Sequence, residues 1–444
     1  MSKRFRRVLA LMLSGAMVFS TAACSKSDSS SDGAGSKPDT KEEGGSNDSL
    51  ADSDEVVTIV YAGGTDSTGA TAEIIEAFEE SHPNIKIQRV DMPADQGAQH
   101  DAYVTSFAAG GTDYDVIDSN VTWPAEFAEA GYILPIDTLI ERDGFDLSSF
   151  VPGYVDAYTF KGQIWGIPCH TNAGVLFYRT DIVENPPATW DELYEMAEKY
   201  TSEGKIKYGH AMQAAQYEGL VCNAMEFIAS EGGKVVDDDG NIIINNDGVV
   251  KGLETMSKIA LAQSSPDNLT TLKESECIDL FSAGDVLFMR GWPSAYANVT
   301  NPETSKVVDN VGVAALPAGS EGSFGCIGGW GVMINKNTEH VEEAWEFVKF
   351  KAGVEGQKIN AITGAQPPLN QELYQDEEIV EERPFFELLV KAVDSGVPRP
   401  VSPVWTELSE IMQIEISKVV SGTEDAKKAV EIMDTEMKAI TDNQ

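Results

Sequence analysis

The chain has 444 residues, of which 42 % are hydrophobic and 8 % aromatic, an ordinary composition for a globular protein. Its formal net charge of −40 excludes the basic footprint that nucleic-acid binding needs and predicts repulsion from an anionic lipid surface. Four widely spaced cysteines besides Cys24 form no Cys-x-x-Cys pair, which favours buried free thiols over a disulfide framework or a zinc site.

The N-terminus has the pattern of a secretory signal peptide. Cationic residues precede an apolar run at 8–19 that is too short to span a bilayer, and small residues lead to Cys24. This arrangement resembles the lipobox of bacterial lipoproteins, although Thr21 stands where leucine is usual. The resemblance implies that residues 1–23 are removed and that Cys24 is acylated. The alternative is an ordinary signal peptide with an incidental cysteine.

Residues 24–55 are rich in Ser, Asp, Gly, Lys and Glu, so they predict a disordered tether between the lipid and a folded body. No later run is long and apolar enough to cross a bilayer. The body, about 390 residues long, is large enough for two domains. We therefore expect a two-domain protein outside the cytoplasm that touches the membrane through its lipid alone.

The folded body begins with a strand, a helix and a second strand. Residues 56–61 and 85–90 have strand patterns, and Ile74, Ile75 and Phe78 between them mark one helix face. Such a βαβ start predicts an α/β fold with a parallel sheet. Residues 115–117 predict the next buried strand.

Later segments predict helices and one hairpin. Thr189 and Glu192 form a capping-box pattern, and apolar stripes predict helices at 341–348, 408–420 and 424–440. The Trp and Met residues on these stripes, Trp190 and Trp345 among them, are expected in the core. Residues 232–242 contain three aspartates, but no glutamate stands at the twelfth position of an EF-hand loop, which favours a β-hairpin over a calcium site.

Catalytic signatures are absent from the sequence, and no two of its five histidines are spaced as a metal-binding pair. Carboxylates are so numerous that a glycosidase pair is neither excluded nor identifiable. The chain instead has tryptophans in segments rich in Gly and Pro, which we interpret as loops: Trp123, Trp292, Trp330 and Trp405. A ring in such a loop suits stacking on the CH face of a sugar. The alternative is that each ring packs against its own domain.

Short motifs follow one another in a recognisable order: Tyr-Asp-Val at 114–116, Gly-Gln-Ile-Trp-Gly-Ile-Pro at 162–168, Leu-Phe-Tyr-Arg at 176–179, Trp-Asp-Glu-Leu at 190–193, Phe-Ser-Ala-Gly-Asp at 281–285, Gly-Gly-Trp at 328–330 and Glu-Ala-Trp-Glu-Phe at 343–347. Together they resemble the maltose-binding-like solute-binding proteins of carbohydrate ABC importers. The resemblance runs from about residue 56 to the end. Gly-Trp-Pro at 291–293 and Arg-Pro-Val-Ser-Pro at 399–403 resemble the trehalose/maltose-binding branch in particular.

This resemblance implies two α/β lobes around a cleft, as in periplasmic binding proteins, each built from discontinuous segments. We expect one lobe at 56–165 and 312–363 and the other at 166–311 and 364–444, with hinge crossings near 164–168, 314–317 and 364–368. The family also implies a set of ligand-binding residues in the cleft: Gly64, Asp66, Thr68, Asn120, Trp123, His170, Asn172, Trp292, Tyr296, Gly329, Trp330 and Arg399. It implies no catalytic residue, metal or cofactor.

Two segments depart from the family pattern. Asn120 stands where aspartate is usual, and Cys-His-Thr-Asn at 169–172 replaces the common Trp-Tyr-Thr-Asp. Because an amide donates as well as accepts hydrogen bonds, the hydroxyl pattern recognised there should differ.

From the signal sequence and the family resemblance together, we predict a monomeric, lipid-anchored receptor for a di- or oligosaccharide that serves ABC importer permease subunits. A lipid-anchored glycoside hydrolase and a surface adhesin remain the alternatives.

Overall fold

The structure is a computed structural model that describes residues 56–93, 95–237, 240–389 and 396–442. Its strands are β1 (Val57–Gly64), β2 (Ile85–Met92), β3 (Val116–Asn120), β4 (Thr159–Phe160), β5 (Gln163–Ile164), β6 (Ile167–Ala173), β7 (Val175–Arg179), β8 (Tyr208–Ala211), β9 (Val286–Gly291), β10 (Val311–Ala314), β11 (Cys326–Ile334) and β12 (Val397–Pro398). The predicted signal peptide, Cys24 and the tether lie outside the described residues.

The α-helices include α1 (Ala70–Ser81), α2 (Gln96–Ala108), α3 (Pro124–Glu129), α4 (Asp137–Asp143), α5 (Pro152–Ala157), α6 (Trp190–Ser202), α7 (Glu218–Ser230), α8 (Asp247–Ala260), α9 (Glu274–Ser282), α10 (Ala295–Val299), α11 (Val341–Ala352), α12 (Val354–Ile362), α13 (Glu377–Glu382), α14 (Trp405–Val420) and α15 (Ala426–Thr441). Within the described part of the chain, no helix combines the length and the hydropathy that a bilayer span requires.

The βαβ start predicted from the sequence is confirmed. β1 runs parallel to β2, with Val57 beside Ile85, and α1 connects them. Ile74 and Phe78 form the buried face of α1. β3 joins the other edge of β1, also in parallel. The first sheet has the order β12-β11-β3-β1-β2, and β6 also pairs with β11.

A second, four-stranded sheet has the order β10-β7-β9-β8. Each sheet has its own hydrophobic core. The first core surrounds the six-stranded sheet and includes Tyr61, Phe127 and Trp345. The second core surrounds the four-stranded sheet and includes Trp190 and Phe288. The chain therefore has the mixed α/β architecture with two centres of packing that the sequence predicts.

Local predictions for helices and thiols are also confirmed. The Thr189 hydroxyl accepts a hydrogen bond from the Glu192 backbone N–H at 3.2 Å, while the Glu192 carboxylate accepts one from the Ala188 N–H at 2.7 Å. The two C-terminal helices form as α14 and α15. Cys169, Cys222, Cys277 and Cys326 are free and buried. Val236 and Ile242 form the antiparallel bridge of the predicted hairpin, whose residues 238–239 are not described.

The division of the chain into lobes stays a prediction, and the strand pairing favours shifted crossings. β6 pairs antiparallel with β11 in the first sheet, although 166–173 was assigned to the second lobe. β10 pairs with β7 in the second sheet, although 312–314 was assigned to the first lobe. Strand pairing therefore favours crossings between β6 and β7 and between β10 and β11, because a strand belongs to the sheet that satisfies its backbone hydrogen bonds.

Candidate ligand-binding site between the two cores

A cavity of about 370 Å³ lies where residues of both cores meet. Asp118 and Lys351 reach it from elements of the first core, and Tyr217, Glu274 and Trp292 reach it from the side of the second core. Its volume is in the range of small-molecule binding sites. The cavity is lined by most of the residues expected to bind ligand: Gly64, Asp66, Thr68, Asn120, His170, Asn172, Trp292, Gly329, Trp330 and Arg399.

The loop after β1 presents an ionised carboxylate to the cavity. Asp66 accepts hydrogen bonds from the backbone N–H groups of Thr68 and Thr71, both at 2.7 Å, and from the Thr68 hydroxyl at 2.6 Å. Burial alone would raise the pKa of Asp66, but these hydrogen bonds outweigh it and hold the pKa below the usual value. The carboxylate is thus fixed at the N-terminal end of α1 as an acceptor.

Arg399 joins elements of the two cores through Asn120. Its guanidinium lies 2.8 Å from the Glu218 carboxylate and donates to Asn120 Oδ1 at 3.3 Å. Asn120 Oδ1 also accepts from the Thr122 hydroxyl at 3.1 Å. Because Asn120 Oδ1 already accepts hydrogen bonds from Arg399 and Thr122, the amide nitrogen of Asn120 is the side-chain atom that remains to donate to a ligand. Arg399 therefore orients Asn120, a residue that lines the cavity.

Two indole rings contribute to the cavity wall. The Trp292 ring rests on the Arg290 guanidinium, 3.9 Å from the ring centroid, and its Nε1 donates to Glu274 at 3.4 Å. The Trp330 ring meets Trp123 edge-on, with centroids 5.4 Å apart. Both rings are half-buried. They are therefore held from behind and remain partly accessible in the cavity.

The assignment of these tryptophans to loops is wrong for Trp330. It lies within β11, and the glycines around it serve close packing rather than chain flexibility. A Cβ on Gly328 would lie 3.2 Å from the Trp292 ring, and one on Gly329 would lie 2.7 Å from the Tyr154 ring. The glycines thus make room for rings that press against the strand, and one of those rings, Trp292, lines the cavity.

The loop interpretation is also wrong for Trp405, which is the first residue of α14. Its ring is buried, and its Nε1 donates to the Glu218 carboxylate at 3.1 Å. Trp123 and Tyr296 do not line the cavity. Trp123 is 3 % exposed, and its ring meets Trp330, so it supports a lining ring from behind. Tyr296 packs against Phe385, with ring centroids 4.6 Å apart. Trp123, Tyr296 and Trp405 are therefore not part of the lining of this cavity.

Sequence reasoning missed a charged pair in the cavity wall. Lys351 on α11 lies 3.7 Å from Asp118 on β3, and the Tyr61 hydroxyl donates to Asp118 at 2.5 Å. Burial alone would lower the pKa of Lys351, but Tyr61 and Asp118 raise it above the usual value. The pair keeps this wall nearly neutral although it contains a buried cation. Further polar residues that were missed also line the cavity: Gln96, Gln99, Asn298, Asn360 and Gln366.

Metal binding finds no support in this site. Among the described residues, no group of His, Cys, Asp and Glu side chains is arranged to hold a metal ion. The groups that line the cavity include amides, carboxylates and two indoles, which can form hydrogen bonds and stacking contacts.

A mixed α/β fold with two cores around a polar, ring-lined cavity is typical of a protein that binds a small molecule. The family model for bacterial extracellular solute-binding proteins matches residues 61–358, and the chain belongs to that family. The solved structure entitled "Maltose bound T. maritima MalE3" is 34 % identical, with a TM-score of 0.82, over 87 % of this chain and 100 % of its own.

Two curated relatives have similar lengths. A probable ABC transporter-binding protein of Deinococcus radiodurans is 31 % identical over 347 residues, which are 76 % of this chain and 81 % of that protein. The arabinooligosaccharide-binding protein of Bacillus subtilis is 24 % identical over 70 % of this chain and 73 % of its own. The similarity thus extends over most of the folded body.

Proposed function

We propose that this chain is a lipid-anchored extracellular receptor that binds a di- or oligosaccharide in the central cavity and delivers it to the permease of an ABC importer. The observation that carries the proposal is the pairing of two half-buried indole rings, Trp292 and Trp330, with amides and carboxylates in one cavity. A sugar offers apolar CH faces to the rings and hydroxyls to the polar groups.

The relatives support a sugar as the ligand. The T. maritima protein, 34 % identical, binds maltose, and the B. subtilis protein is named for arabinooligosaccharides. The near-neutral wall formed by Asp118 and Lys351 suits an uncharged ligand. Asp66 and Glu274 would disfavour a sugar acid, since a carboxylate next to them would remain unpaired.

Capture involves contacts between elements of the two cores. Lys273, before α9, pairs with Asp95, before α2, and Thr406 on α14 donates to Glu126 on α3 at 2.7 Å. Such contacts form when two lobes close around a ligand, and closure presents a changed surface to a permease. The proposed role contains no bond-making step and needs no cofactor.

The acylated Cys24 would hold the receptor at the cell surface, beside its permease. The net charge of −40 supports a lipid anchor, because the protein surface itself would be repelled by anionic lipids. The tether of 24–55 would let the folded body sample the space around that permease.

A thermal-shift screen of mono-, di- and oligosaccharides against the soluble body tests the sugar specificity. A ligand that binds only the folded state raises the melting temperature by mass action. We expect a rise with at least one neutral di- or oligosaccharide and none with the matching sugar acids. Absence of any shift across neutral saccharides at millimolar concentration would contradict the proposal.

A further inference from the structure

Two side chains on β6 line the cavity and carry buried polar atoms that nothing in the described chain satisfies. His170 Nε2 and Asn172 Oδ1 have no hydrogen-bond partner among the described residues. Both residues are at least nine-tenths buried. Buried polar atoms in native proteins nearly always have a partner, so unpaired buried atoms on two residues that line a cavity indicate groups whose hydrogen bonds a ligand or water completes.

Strand register places these atoms beside the indole rings. His170 pairs with Trp330 and Asn172 pairs with Gly328 across β6 and β11. Paired residues share one face of a sheet, and residues two apart on a strand share that face as well. Trp292 lies over the position that a Gly328 side chain would occupy. His170 and Asn172 therefore flank a surface on which a sugar ring would stack.

His170 is a neutral imidazole at physiological pH. Burial, helped by the nearby charge of Lys351, lowers its pKa to about 3. A neutral imidazole has one nitrogen that donates and one that accepts. The direction of the hydrogen bond at Nε2 thus depends on which nitrogen carries the proton.

Asn360 on α12 decides that question. Its side-chain amide nitrogen lies 3.3 Å from His170 Nδ1. Because an amide nitrogen donates and does not accept, this contact requires Nδ1 to accept, which leaves the proton of the neutral ring on Nε2. The backbone carbonyl of Asn360 accepts from the N–H groups of Gly364 and Gln366, at 3.0 and 3.1 Å, which fixes the backbone of Asn360 near the end of the helix. The backbone that carries the partner of His170 is thus held by structure that is independent of the ligand.

We propose that Asn360 is a positioning residue that holds His170 in the Nε2–H form, so that β6 presents a hydrogen-bond donor at His170 and an acceptor at Asn172. The ligand must then offer an acceptor oxygen to His170 and a hydroxyl proton to Asn172. Two oxygens of one sugar ring can bridge two such groups. The inference rests on the proposed sugar-binding function and specifies which hydroxyls the site recognises.

The first experiment needs no ligand. Long-range ¹H–¹⁵N correlation spectra of the labelled protein at pH 7 distinguish the two tautomers of each histidine, and His170→Gln assigns the signals of His170. We expect the Nε2–H form. The Asn360→Asp variant keeps the side-chain shape but replaces the donor with an acceptor, so the proton should move to Nδ1. Asn268→Asp, at an exposed position, is the control for added charge. An Nδ1–H form in the wild type, or identical spectra in Asn360→Asp, would overturn the inference.

The second experiment uses maltose as the probe, with deoxy and deoxyfluoro analogues at each hydroxyl. Fluorine accepts weakly and does not donate, so the position that meets His170 should tolerate fluorine about tenfold better than hydrogen. At the position that meets Asn172, both replacements should weaken binding equally. In Asn360→Asp, the preference for fluorine should disappear.

The two experiments separate the inference from the proposed function. If maltose and its analogues do not bind, maltose is excluded as the ligand, and the spectra still decide the tautomer. If maltose binds but Asn360→Asp retains the fluorine preference, sugar binding stands and the role of Asn360 is refuted.

Discussion

Replacement of Trp292 by alanine is expected to weaken sugar binding much more than it lowers the stability of the fold. The ring is half-buried, lies on the Arg290 guanidinium at 3.9 Å and faces the cavity. Its removal would take away one stacking surface and leave Arg290 paired with Glu226 at 2.6 Å. Because aromatic anchors at binding sites commonly contribute about 2 kcal/mol or more, we expect Trp292→Ala to weaken sugar binding about 30-fold.

Trp190 is the matched control. It is 3 % exposed, stacks on Phe227 with centroids 4.0 Å apart, and donates from Nε1 to Ser230 at 3.1 Å. Trp190→Ala removes a fully packed ring, so the free energy of unfolding should fall by about 3–5 kcal/mol while the folded fraction binds normally. Trp292→Ala should lower it by about 1–2 kcal/mol, since its ring is only partly buried.

Calorimetric titration gives the dissociation constants, and urea unfolding gives the stabilities. The sugar is the one that produces the largest thermal shift in the screen. If Trp292→Ala binds within about twofold of the wild type, or loses affinity only because it is unfolded, the stacking role is refuted. Trp330→Ala extends the test to the second ring.

The remaining predictions concern closure, pH and anchoring. Lys273→Ala should weaken sugar binding by less than about 1 kcal/mol, because the ion pair between Lys273 and Asp95 is partly exposed. The substitution should also reduce the salt dependence of the dissociation constant, and an unchanged salt dependence would contradict this prediction. Burial lowers the pKa of His210 to about 3, so the unfolded chain takes up a proton first as the pH falls, and stability decreases below about pH 6.5 by about 1.4 kcal/mol per pH unit. Burial depresses the pKa of His170 in the same way and adds an equal slope, so His210→Gln should reduce the slope in urea unfolding between pH 6.5 and 4.5 by about 1.4 kcal/mol per pH unit without abolishing it. An unaltered slope would exclude a buried neutral histidine at position 210. Cys24→Ala should release the protein from the membrane or leave an uncleaved precursor, whereas unchanged membrane association would exclude acylation.

The sequence predicts the fold well where the determinants are local. The strand pattern at 56–61, the helix face with Ile74 and Phe78, and the cap at Thr189 all depend on residues close in the chain. The crossings between the two sheets stay a prediction, because strand pairing over long distances decides them and local sequence does not. β6 is buried along its whole length, but nothing in its local sequence indicates that its partner is β11.

The candidate site was predictable to the extent that the family resemblance indicated its residues. The glycine-rich composition around Trp330 led to its wrong assignment to a loop, although the residue lies in a strand. Glycines that make room for a neighbouring ring cannot be told from loop glycines by sequence alone. The pair of Asp118 and Lys351, and that of His170 and Asn360, bring together residues far apart in the chain. Each side chain reads locally as an ordinary polar residue, so only the packing of α11 and α12 against the first sheet reveals these contacts.

The central claim is that a sugar binds between Trp292 and Trp330 in the cavity where the two cores meet. A crystal structure of the protein with the saccharide that gives the largest thermal shift tests it most directly. The account predicts electron density for a sugar ring against at least one of these indoles, with hydroxyls within hydrogen-bond distance of His170 and Asn172. A sugar bound elsewhere, or a cavity without sugar at saturating concentration, would contradict it.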